Sequence, residues 1–126
     1  MSTRRRAREI ALQLLFQEDL NPEQTAEFAG RFLTKRLNGN RPLIDFARRL
    51  YANVCENRRE LDRVLASHAT NWSVRRMAAI DRNILRLGAH EILNTETPGR
   101  VVINEAVEIA KRYGDRQSGQ FVNGIL

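Results

Sequence analysis

An all-α fold is what this 126-residue sequence predicts, and three observations carry that expectation. Apolar residues recur at helical spacing through nearly the whole chain. Alternation of period two, the mark of a half-buried strand, is nearly absent. Proline, glycine and asparagine fall at intervals that suit helix ends. A mass of 14.5 kDa is enough for one hydrophobic core, so residues 1–126 are expected to form one compact domain.

The first helix carries Ala7, Ile10, Ala11, Leu14 and Leu15 on one face. Asn21-Pro22 reads as a stop followed by a start, with Pro22 at the first helical position, Glu23 in the first turn and a second helix reaching about Leu37. Asn38-Gly39-Asn40-Arg41-Pro42 is a loop, because Asn and Gly tolerate left-handed backbone and proline cannot continue the preceding helix. Leu43, Ala47, Leu50, Val54, Leu61 and Leu65 then trace one stripe through a long third helix ending near His68. These three helices make an N-terminal bundle over about 1–68.

Beyond a hinge near Ser67 to Asn71, Thr70-Asn71 caps a short turn containing Trp72, Val74 and Met77. The next helix carries Ile80, Ile84, Leu87, Gly88 and Ile92 to about Asn94, where Thr97-Pro98-Gly99 breaks it. Val102, Ala106, Ile109, Ala110 and Tyr113 share one face of a further helix, with Gly114 placed as a left-handed terminator; a short strand at Val101-Val102-Ile103 is the alternative there. Ser118 is placed to cap a closing helix with Phe121, Val122, Ile125 and Leu126. A second bundle of similar size, about 70–126, is therefore expected.

Several function classes find no support in the residues. The apolar stretch from Ile10 to Phe16 is short, broken by Gln13 and followed by Glu18 and Asp19, which does not suit a secretory signal. No run approaches the roughly 20 apolar residues of a membrane span, so the chain reads as cytoplasmic. Cys55 stands alone in a helical pattern and is expected to be a buried thiol. His68, His90 and Cys55 are too few and too scattered for a metal site. No nucleophile has a base at recognisable spacing, and no phosphate loop or dinucleotide fingerprint occurs, so neither catalytic residues nor cofactors are expected.

What the residues do point to is a polyanion. The formal net charge is +6, and most of it sits at the start, where Arg4, Arg5, Arg6 and Arg8 occur with no acidic residue among the first eight. Cations in a first helical turn face the positive end of the helix dipole, where acids would be favoured by roughly 0.3–1 kcal/mol each. Phosphates would relieve this conflict through the guanidinium groups and the free amides of the same turn. Only Lys35 and Lys111 are lysines, so nearly all the positive charge is planar and bidentate. Arg4 and Arg8, one turn apart, are expected to point in a fixed direction because the opposite face of their helix is anchored. Arg82 and Arg86, at i and i+4 beside Asp81, line the polar side of their helix, as a solvated face. Phe121 suits the core by its periodicity and base stacking by its place next to a polar loop.

Taken together, Arg4-Arg5-Arg6-Ala7-Arg8-Glu9 with Ala11-Leu12-Gln13, Asn71-Trp72, Asp81 through Leu87, Val102 through Lys111, Tyr113-Gly114 and Phe121 through Leu126 resemble the NusB family of bacterial transcription antitermination factors. The resemblance covers essentially the whole chain. It implies seven helices in two consecutive three-helix bundles and a non-enzymatic role. That role is binding single-stranded boxA RNA of nascent ribosomal transcripts together with NusE, a small-subunit ribosomal protein, so that the RNA polymerase elongation complex passes terminators. It further implies RNA contacts at Arg4, Arg5, Arg6 and Arg8 and in the region of Gln117, Ser118 and Phe121. Contacts to NusE are implied on the helix of Asp81, Arg82 and Arg86, with Asp81 as the acidic partner of a basic residue. Two departures stand out: some relatives have an acid at the position of Gln117, and family members usually continue beyond Leu126. Monomer and homodimer both remain open. A purely structural module that binds only protein, and a detached regulatory domain of an RNA cytosine methyltransferase, are the alternative readings.

Overall fold

In the computed structural model, which describes residues 3–69, 74 and 77–126, seven α-helices form and no strand occurs among the described residues. They are α1 (Arg4–Leu20), α2 (Ala26–Arg36), α3 (Arg41–Glu56), α4 (Arg58–His68), α5 (Ala79–Asn94), α6 (Gly99–Tyr113) and α7 (Ser118–Ile125). Helix α1 begins at Thr3, whose hydroxyl accepts the Arg6 amide at 3.2 Å, and Asn40 caps α3 in the same way through the Leu43 amide at 3.3 Å. The α2–α3 loop takes the left-handed backbone that its composition predicts, at Asn38 (φ 53°) and Gly39 (φ 70°). Val101-Val102-Ile103 is helical, in the first turns of α6.

Four local expectations are corrected, each by a competing hydrogen bond or contact. Pro22 does not start a helix: the Asn21 side chain accepts the Glu23 amide at 3.3 Å, forming a turn, and α2 starts only after Thr25 caps it through the Phe28 amide at 3.1 Å. The long third helix is two helices. At Asn57 the backbone leaves helical geometry, and its side-chain amide joins its backbone amide on the Asn53 carbonyl, closing off α3 before α4 begins. Of the expected stripe, Ala47, Leu50, Val54, Leu61 and Leu65 are buried; Leu43 is only half-buried, and its neighbour Ile44 takes the core position instead.

Gly114 is extended (φ −94°, ψ −167°), not left-handed. Glycine is needed there because a Cβ would collide with the Ser118 hydroxyl and crowd the Ala110 carbonyl. Ser118 does not cap α7; it lies inside it, and its hydroxyl accepts the Asp115 amide at 3.0 Å while donating to Asp115 Oδ1 at 3.2 Å. The expected cap at Thr70-Asn71 and the residue Trp72 lie outside the described residues.

Packing divides the helices into α1–α3 and α5–α7, the two three-helix bundles, with α4 against α3 and α5. Helix α1 belongs to both, since it packs on α2 and α3 and also on α5 and α6. Its Ile10, Leu12, Leu14 and Leu15 are fully buried, and each such side chain contributes roughly 1.5–3 kcal/mol of transfer free energy. Because one face of α1 is held by α3 and the other by α5 and α6, its first turn cannot swing freely. No helix is long and apolar enough to cross a membrane among the described residues.

Candidate nucleic-acid interface

The arginines of α1 fall into three environments. Arg4 is exposed and has no carboxylate partner among the described residues; its guanidinium lies 4.7 Å from the centre of the Phe46 ring on α3. Arg5, also at the surface, makes a two-pronged pair with Glu105 on α6, Nε to Oε1 at 3.0 Å and Nη2 to Oε2 at 2.7 Å. That pairing raises the Arg5 pKa, and the Arg5 hydrogen bond holds Glu105 below the usual carboxylate range. Arg6 donates to Glu9 at 3.1 Å and stays partly open to solvent.

Arg8 departs from expectation. It is not an outward cation but a buried one, 5% exposed, gripping Glu91 of α5 through Nε to Oε2 and Nη2 to Oε1, both at 2.8 Å. The geometry of the i, i+4 pair is right, yet α5 and α6 close over the second member. Its guanidinium is committed to structure, joining the two bundles. The dipole conflict read in the sequence is thus met in large part by carboxylates of the chain itself. Glu9, 2% exposed, adds to this belt by accepting from Arg6, from Arg112 at 3.4 Å and from the Tyr113 hydroxyl at 3.2 Å. Arg112 itself is exposed, a cation beside the α1 arginines that sequence reasoning missed because it lies about a hundred residues away in the chain.

The second group of expected residues comes together around one small cavity. Asp81, Gln117, Ser118 and Phe121 line it with Met77 and Asp115, enclosing about 140 Å³. Residues that the sequence placed in two separate functional groups therefore share one cleft between α5 and the start of α7. Among the described residues, Asp81 Oδ1 is buried without a hydrogen-bond partner. Burial pushes the Asp81 carboxyl up, with the charge of Asp115 adding to the effect and Ser118 partly offsetting it. An under-satisfied carboxylate in a surface cleft is a place for an external donor.

Arg82 and Arg86 do not line a wet face. Arg86 is 5% exposed, binds Asp62 of α4 through Nε and Nη2 at 2.7 and 2.8 Å, and reaches Asp19 of α1 at 3.4 Å and Asn83 at 3.1 Å. Arg82 donates to Asp19 at 3.1 Å and Asn83 does so at 2.8 Å. Burial alone would raise Asp19, but the hydrogen bonds from Asn83 and Arg82 and the charge of Arg86 hold it below its ordinary value. Asp19 and Asp62 are the residues sequence reasoning missed; acids on other helices gave no local signal. Arg86 is a tie between α1, α4 and α5, with no face left for a partner.

Cys55 is half-buried, and burial pushes its thiol up, away from the reactive thiolate. No cluster of three or more His, Cys, Asp or Glu side chains is arranged to hold a metal among the described residues.

Comparison with known proteins places this geometry. The NusB family model matches residues 5–126. The transcription antitermination protein NusB of Anaeromyxobacter dehalogenans is 45% identical over 99% of this chain and 88% of its own length. That of Pelotomaculum thermopropionicum is 43% identical over 98% of this chain and 86% of its own. Among solved structures, NusB of T. maritima superposes with a TM-score of 0.84 at 34% identity, covering 98% of this chain and 87% of the other. A crystal structure of the antitermination factors NusB and NusE in complex with dsRNA superposes with a TM-score of 0.83 at 31% identity, covering 97% and 91%. From the family model and from relatives well above 30% identity along nearly the full chain, the protein belongs to the NusB family.

Proposed function

We propose that this protein is a transcription antitermination factor that binds boxA-type single-stranded RNA of nascent ribosomal transcripts together with NusE. In that role it acts on the RNA polymerase elongation complex in the cytoplasm, and performs no catalytic step of its own. The observation that carries this reading is the first turn of α1. Arg4, Arg5 and Arg6 sit at the surface on a helix whose buried faces are locked into both bundles, so their positive charge has a set direction. The free amides of the same turn add to the attraction for phosphate. The antitermination names of the relatives, and a superposable structure whose description includes NusE and dsRNA, support the same reading.

Phosphate contacts give affinity and register, and sequence choice comes from bases. The cleft of Gln117, Ser118 and Phe121 would serve bases, with Asp81 in its wall offering an acceptor to a basic residue of NusE. Arg8, Arg82 and Arg86 support the surface from within and touch neither partner.

The experiment is titration of a boxA-like strand across several salt concentrations with Arg4→Ala and Arg5→Ala. Each lost phosphate contact on a single strand should flatten the dependence of log affinity on log salt by about 0.7. An unchanged slope in both variants removes the α1 arginines from the interface. A duplex of the same sequence run in parallel should bind more weakly, and equal binding would overturn the single-strand assignment.

A further inference from the structure

A second, larger cleft lies away from Asp81 and Gln117, between α3 and the α5–α6 connection, and encloses about 780 Å³. That is within the roughly 300–1,000 Å³ of small-molecule sites. It is lined by two exposed guanidinium groups without carboxylate partners among the described residues, Arg4 and Arg49. The guanidinium carbon of Arg4 sits 4.7 Å from the centre of the Phe46 ring, and that of Arg8 approaches the same ring at 5.1 Å. Of the two carboxylates in the wall, Glu91 is already neutralised by Arg8, and Glu96 sits at the exposed edge. Asn53 and Asn94 also line the space, the Asn94 amide lying 3.4 Å from His90 Nδ1.

We propose that this cleft seats one unpaired nucleobase of the RNA strand that crosses the α1 arginines. The inference rests on the RNA-binding reading above and adds a second point of base contact to it. Arg4 belongs both to the cationic first turn of α1 and to the cleft, so a strand following the arginines passes its mouth. Bases stack on arginine planes and aromatic rings, and Asn side chains pair with base edges. An anionic backbone is held at the entrance by Arg4 and Arg49 while the apolar floor of Phe46 and Leu50 excludes water from the base. A protein segment seated here would gain nothing from the two open guanidinium groups unless it were acidic, whereas a nucleotide uses the cations, the ring and the amides together.

The test uses the full chain, isotope-labelled, and two probes that differ only in the base: AMP and ribose 5-phosphate, each taken to tens of millimolar. AMP should move the backbone amide signals of Asn53, Asn94 and Thr97, and ribose 5-phosphate should leave Asn53 and Asn94 in place. Equal shifts from both probes would make the cleft an anion site only, and no shift from AMP at these positions would empty it; either result overturns the proposal.

In a second measurement, the base is removed at one position at a time along the boxA-like strand. One position should cost roughly five- to 150-fold in affinity, the worth of a stacked base, and saturating AMP should erase that cost. A flat profile with the salt slope intact overturns the base seat and leaves the phosphate reading standing. Absence of strand binding altogether, with AMP still shifting the cleft, overturns the reading of the α1 arginines instead.

Discussion

Arg8 and Arg4 sit one turn apart in the same cluster, and tertiary packing gives them opposite tasks. A buried pair such as Arg8–Glu91 is strongly destabilising to break, because the remaining charge is left unpaired in a poor solvent. Arg8→Ala or Glu91→Ala should each lower unfolding stability by roughly 3–5 kcal/mol in denaturant titrations. The double replacement Arg8→Met with Glu91→Leu should recover much of that loss. Arg8→Ala should leave the salt slope of RNA binding unchanged wherever the variant stays folded. Two aspartates behave with opposite signs. Folding raises the Asp81 pKa, so its ionised form is penalised at neutral pH, and Asp81→Asn should raise the melting temperature at pH 7. That gain should fade as pH falls through the raised folded value and vanish below the ordinary value of 3.8, where the wild-type group is protonated in both states. Folding lowers the Asp19 pKa, so Asp19 contributes stability above 3.8 that is lost as pH falls through its lower folded value. Asp19→Asn should therefore melt lower at pH 7 and converge on wild type in acid; parallel melting curves for both variants would contradict the assigned surroundings.

Single helices show where periodicity is informative and where it stops. From Ala47 to Leu65 the stripe marks which residues are buried, because a kink at Asn57 leaves both halves facing the same core. It could not mark the kink, which depends on a side-chain hydrogen bond to a carbonyl one turn back. The second helix starts late for a similar reason: Asn21 and Thr25 compete for donors that the rule for Pro22 leaves out of account. At the join of α6 and α7 the close approach of Ser118 to Gly114 sets the turn. Gly114→Ala should cost roughly 1–3 kcal/mol, as overpacking does, read as a lowered denaturation midpoint with an unchanged slope. A neutral result would mean that the turn opens easily and that Ser118 does not hold it.

For the whole molecule, the two bundles share α1, and the ties of Arg8 to Glu91 and of Arg82 and Arg86 to Asp19 cross between them. This rigidity brings Asp81 to the cleft of Gln117, Ser118 and Phe121. An RNA surface and a partner surface that meet there would make each ligand sensitive to the other. On the proposed reading, Asp81→Arg should weaken capture of NusE by placing a cation where a basic residue is expected, and should reduce any gain in RNA affinity measured on adding NusE. Capture that tolerates this reversal would move the partner contact away from α5. The arginines that meet carboxylates of their own chain favour, on that point alone, a module that binds only protein. A boxA-like strand competing no better than its scrambled counterpart would decide for that module.

By itself the sequence determined the helical class, most helix bodies, most of the apolar core positions and the cationic start, because these follow from spacing and composition along a few turns of chain. It also carried enough of the family pattern to imply two bundles and a role with RNA. Which arginines remain open to a ligand was decided only by the tertiary structure. A guanidinium is free or committed according to the carboxylates that other helices bring to it: Glu91, Asp19 and Asp62 hold Arg8, Arg82 and Arg86 from distant parts of the chain, whereas Arg5, paired with Glu105, stays at the surface.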